Sequence, residues 1–80
     1  MRIKQIAPNC TELTYTPKGA PTAVTVLFSY ETPVAAQLSN GDFVQTCEKW
    51  SATTTRHIKK AGYEFARKVP QKELDQLVYS

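Results

Sequence analysis

Five prolines and three glycines are spaced so that few stretches of this chain run long without a break: Pro8, Pro17, Gly19, Pro21, Pro33, Gly41, Gly62 and Pro70. Proline lacks the backbone donor that a ladder or helix interior needs, and glycine tolerates turn geometry, so each is a candidate element boundary. The chain is therefore an assembly of short elements, with no internal repeat and no low-complexity tract. The hydropathy pattern between the breaks reads as strands first and helices later.

Residues 10–16, CTELTYT, set Leu13 and Tyr15 against Glu12, Thr14 and Thr16, the two-residue period of a half-buried strand. Residues 22–30, TAVTVLFSY, are rich in β-branched and aromatic types and form the expected central strand. Asn40-Gly41 suits a two-residue type I′ hairpin, which predicts Leu38 opposite Phe43, Ala36 opposite Gln45 and Val34 opposite Cys47. Pro33 is tolerated at the start of such a strand or on an edge.

Ser51 is a favourable N-cap and Gly62 a favourable residue just past a helix end, so the pattern predicts a helix over Ala52–Ala61. At helical spacing Trp50, Thr54, Ile58 and Ala61 share one stripe, His57 lies at its margin, and Arg56, Lys59 and Lys60 lie opposite. After Gly62, YEFARKV alternates as a strand to Pro70, and Leu74, Leu77 and Val78 mark a short terminal helix. The expected class is α+β: a small, mainly antiparallel sheet with one or two helices packed on one face.

Eighty residues allow one domain, 1–80, and 41% hydrophobic with 21% charged residues is the balance of a folded chain rather than a disordered tail. The apolar run Ala23–Tyr30 is far shorter than the ~20 residues of a membrane span. MRIKQIAPNC lacks the apolar stretch and cleavage site of a secretory signal, so the expected location is the cytoplasm. Two cysteines, Cys10 and Cys47, are too few for a disulfide framework and lack zinc-site spacing. The carboxylates are dispersed, so neither metal nor cofactor is expected.

The residues Ser29-Tyr30, Thr32-Pro33-Val34-Ala35, Thr46, Lys49-Trp50-Ser51, Thr53-Thr54 and His57-Ile58 resemble a pattern recurring in small proteins of bacteriophages, prophages and plasmids. The resemblance covers roughly the middle third of the chain. It implies a mobile-element protein in a host bacterial cell and, because that family has no established activity, carries over no catalytic residue.

Cys47 and His57 could be imagined as a nucleophile and its base, but no third group orients the histidine and no oxyanion donors are evident, so the chain is not expected to be an enzyme. His57 is expected at the core edge, bonded to backbone or a threonine. Trp50 is expected as a core anchor, and Cys47 as an inert core thiol. Net charge is +3, and the cations cluster where the acids scatter. Lys49, Arg56, Lys59, Lys60, Arg67 and Lys68 are candidate phosphate contacts, with Tyr63 as a stacking residue. Contact with nucleic acid or a nucleoprotein complex is the first expectation. The alternative is an inhibitor that binds a host defence or replication protein, as anti-CRISPR proteins do, and a merely solvated helix face is the bland third reading. Sequence leaves the oligomeric state open.

Overall fold

The computed structural model describes residues 2–16, 18–19, 22–48 and 51–79. Six strands, β1 (Arg2–Ala7), β2 (Cys10–Tyr15), β3 (Val24–Ser29), β4 (Thr32–Gln37), β5 (Phe43–Thr46) and β6 (Arg67–Val69), form one sheet in chain order. Two helices, α1 (Ala52–Lys60) and α2 (Gln71–Tyr79), complete the α+β fold expected from the sequence. Every neighbouring pair is antiparallel except β5 and β6. That pair is parallel because α1 carries the chain back between them, as a parallel connection requires. Among the described residues no helix is long and apolar enough to cross a membrane.

Two turns differ from expectation. β1, absent from the sequence reading, pairs with β2 across Pro8-Asn9, with Asn9 at φ 61°. Proline presets φ at the first central position and asparagine tolerates the left-handed region at the second, the combination a type II turn uses. The β4–β5 hairpin is not the predicted two-residue turn. Gly41 N–H donates to Leu38 O at 2.9 Å and Leu38 N–H to Asp42 O at 2.8 Å, and Gly41 (φ 94°) but not Asn40 has positive φ. This is a three-residue loop in which a type I turn precedes a left-handed glycine. Register moves by one residue: Ala36 faces Val44, Ala35 faces Gln45 and Gln37 faces Phe43.

That shift decides which side chains meet which helix, because neighbours along a strand point to opposite faces. Leu27, Val34 and Ala35 cluster with Cys10, Ile58 and Tyr63 on the α1 side, the adjacent Val34 and Ala35 together because the β3–β4 register shifts there and leaves Val34 unpaired in the ladder. Val24, Val26, Ala36, Val44 and Val69 cluster with Leu74 on the α2 side. The helices thus divide the sheet between them, one to each face, rather than sharing the single face expected from the sequence. Cys47, expected in the core opposite Val34, is exposed, and Cys10 is the buried thiol.

Candidate functional site

The segment around α1 is tied at both ends. Ser51 Oγ accepts the Thr54 N–H at 3.3 Å, the cap the sequence predicted, and stands in for a missing intrahelical partner. At the other end Gly62 N–H donates to Lys59 O (3.1 Å) and Tyr63 N–H to Ile58 O (3.0 Å), with Gly62 at φ 91°. These are the paired bonds of a Schellman motif, which brings the residue two past the cap against the last helical turn. Tyr63 is consequently only 3% exposed and joins the Ile58 cluster, its ring 5.7 Å from that of Phe43. It cannot serve as the surface stacking residue expected of it. Burial, with Glu12 nearby, pushes its phenol up to about 12.

Beneath α1 lies a hydrogen-bonded polar cluster. Ser29 Oγ is 2.9 Å from Thr54 Oγ1 and 2.8 Å from His57 Nδ1, hydrogen-bonded to both, and all three residues are buried. Tyr30, at the β3–β4 turn with φ 59°, holds its ring 6.2 Å from the His57 ring. The histidine is therefore inside the core edge, with a serine rather than a threonine as its direct partner. Ser29 is 2% exposed, so this Ser–His contact offers no exposed nucleophile and instead fixes how α1 sits on β3. Ser29, Tyr30, Thr54 and His57, quoted for the resemblance, meet here.

The candidate cations are only partly gathered. Arg56, Lys59 and Lys60 are exposed along α1, as their spacing predicts. Lys59 turns toward a groove of about 400 Å³ between α1 and the β5–β6 edge, where Lys68 joins it along with Glu48, Glu64 and Cys47. Two cations and two carboxylates leave that groove nearly balanced. Lys60 lies on the opposite flank, close enough for its charge to offset part of the upward shift that burial and Glu12 impose on the Cys10 thiol. Arg67 does not join them: it pairs with Val44 and shares the α2 face with Val69, whereas Lys68 pairs with Gln45 on the α1 face. Lys49, like Trp50, lies outside the described residues.

Sequence reading missed two features. Phe65 is 95% exposed and Phe43 is 47% exposed. They line a cleft of about 180 Å³ with Gly62 and Ala66. The buried Gln45 donates through Nε2 to Glu64 O at 3.1 Å and Ala66 O at 2.8 Å, holding the loop on both sides of Phe65. Alternation over YEFARKV put Phe65 on one side with Tyr63, Arg67 and Val69, but Tyr63 is buried, Phe65 is exposed, and strand structure starts only at Arg67. The bend after Gly62 was the available signal. Among the described residues no three histidine, cysteine, aspartate or glutamate side chains gather as a metal site requires.

Residues 1–76 match the model of a family of unknown function (DUF8033). The chain belongs to that family. The match spans all six strands, α1 and the first six residues of α2 as well as the middle third. No curated protein and no solved structure matches the chain.

Proposed function

We propose that this is a small non-enzymatic binding protein of mobile-element type that contacts nucleic acid, free or within a nucleoprotein complex, through the cationic face of α1. The observation that carries the reading is the charge of that helix. Arg56, Lys59 and Lys60 are exposed, and the sequence ATTTRHIKK contains no carboxylate. Cations in a last turn complement the helix dipole for ~0.3–1 kcal/mol each, which accounts structurally for Lys59 and Lys60. Arg56, in the middle of the nine-residue helix, gains little from it because the effect fades within the terminal turn. An exposed run of this kind meets a phosphate backbone without desolvating a buried charge.

The test is titration of labelled single- and double-stranded oligonucleotides at two salt concentrations, using the parent protein and a variant with Arg56, Lys59 and Lys60 all changed to Gln. The variant keeps its fold because all three side chains are exposed. Binding weakens for every base sequence alike, and each lost phosphate contact lowers the log–log salt slope by about 0.7–0.9, so the triple change flattens it by about two to three units. No low-salt binding by the parent protein refutes the reading and favours the alternative, an inhibitor that docks this surface on a host defence or replication protein.

A further inference from the structure

Phe65 is an unusual residue to leave in water. At 95% exposure it contributes no packing to either core, yet its loop is held in place. Ala66 N–H donates to Tyr63 O at 3.0 Å, and the Gln45 amide spans the carbonyls of Glu64 and Ala66. Gln45 is itself 8% exposed, so a buried polar side chain positions the backbone on each side of an exposed ring. Phe43 stands across the shallow cleft, braced against Tyr63. One ring on a hydrogen-bonded loop and one packed on Tyr63 thus border one opening.

The charge of the neighbouring helix points to the occupant. Gly62 joins the opening to the end of α1, whose exposed Arg56, Lys59 and Lys60 have no carboxylate on the helix, while Glu64 is the acid next to Phe65. A polyanion with planar faces matches both the cations and the rings. In a duplex each base is already stacked on its neighbours, whereas single-stranded bases are free to stack on an aromatic side chain. We infer that Phe65, with Phe43 beside it, is a base-stacking platform that makes the α1 surface selective for single-stranded over double-stranded nucleic acid. The inference rests on the nucleic-acid reading of α1. It assigns Phe65 the role that sequence gave to Tyr63.

The experiment compares the parent protein with Phe65→Ala and Phe65→Trp in titrations of labelled oligothymidylate and a duplex of equal length. Phe65→Ala is expected to weaken single-strand binding by about 5- to 150-fold while leaving duplex binding and the salt slope unchanged, because a stack and no phosphate contact is lost. Phe65→Trp keeps the affinity, and its fluorescence is quenched by the oligonucleotide beyond any change in the parent protein. Equal single-strand affinity in the parent and Phe65→Ala overturns the platform while leaving the α1 reading intact if the triple Gln variant still weakens binding. An equal loss on single strand and duplex overturns the selectivity. A lowered melting temperature for Phe65→Ala overturns it too, since the ring would then be holding the loop. A parent protein that binds neither form overturns both readings and leaves Phe65 as an anchor for a protein pocket.

Discussion

The two faces of the sheet are held by different physics. Against α2 the buried contacts are aliphatic, with Val24, Val26, Ala36, Val44 and Val69 around a fully buried Leu74. The hydrogen bonds that join this helix to the strands, Tyr15 O–H to Leu77 O at 2.6 Å and Gln71 Nε2–H to Pro33 O at 2.7 Å, are only partly buried. Against α1 the apolar cluster is interleaved with buried polar groups, namely Ser29, Thr54, His57 and Gln45. Apolar burial is non-directional and tolerates small slides, whereas a satisfied hydrogen-bond network permits one placement. The charges follow the same division. α1 carries Arg56, Lys59 and Lys60 with no acid, a charge of +3 with His57 neutral, while α2 carries Lys72 against Glu73 and Asp75, a charge of −1. One face anchors the fold, and the other positions a cationic helix and a braced aromatic loop.

The sharpest way to separate the faces is to cut into each. Leu74→Ala removes a 0%-exposed side chain from the aliphatic face and should destabilise by ~2–5 kcal/mol in urea unfolding. A loss below ~1 kcal/mol would mean α2 is not a principal anchor. Alkaline pH loads the α1 face next. The folded protein favours the neutral Tyr63 phenol, so its contribution is complete below pH 10 and is lost as pH rises through about 12. At most roughly 2–3 kcal/mol is at stake. Burial raises Tyr15 and Cys10 as well, adding to the loss in the same direction. The urea midpoint should hold steady up to about pH 9 and then fall, together with delayed phenolate absorbance; an unchanged midpoint at pH 11 would contradict the burial of Tyr63.

Ser29→Ala tests the polar network without changing charge. It leaves Thr54 Oγ1 and His57 Nδ1 without the hydroxyl they share, for an expected loss of ~1–3 kcal/mol. The exchange protection of α1 amides should fall further than that of α2, and an equal fall in both would show that the network does not pin α1 specifically. Cys47→Ser should be the mildest change, within ~0.5 kcal/mol, because that thiol is exposed. A larger loss by thermal melting would restore Cys47 to the core that the type I′ register assigned it.

Elements whose pattern depends on one local rule were legible in the sequence. The strands β2 and β3, the Ser51 cap and the Gly62 stop all emerge where read, although burial along β2 does not alternate: past buried Cys10, Thr11 to Tyr15 are all half-buried. β1 escaped because a register irregularity between Gln5 and Ala7 breaks the alternation, so Ile3 and Ile6 fall three apart rather than on a two-residue period. The β4–β5 register slipped because Asn-Gly serves both a two-residue turn and a type I turn with a following left-handed glycine, and only the structure distinguishes them. At the candidate site, helical spacing was enough to group Arg56, Lys59 and Lys60. Grouping Arg67 with Lys68 ignored the strand period, which sends adjacent residues to opposite faces. The exposure of Phe65 depends on two long-range bonds from Gln45, which no local pattern in residues 63–69 encodes.

The central claim, that the α1 face is the binding face and the α2 face the anchor, is tested most directly by backbone amide NMR of the protein titrated with a single-stranded oligonucleotide at low salt. The account predicts shift changes confined to Arg56–Lys60, the loop through Phe65, and Lys68, while Leu74 and Leu77 stay in place. Changes centred on α2 or on the β1 edge, with α1 unmoved, would contradict it.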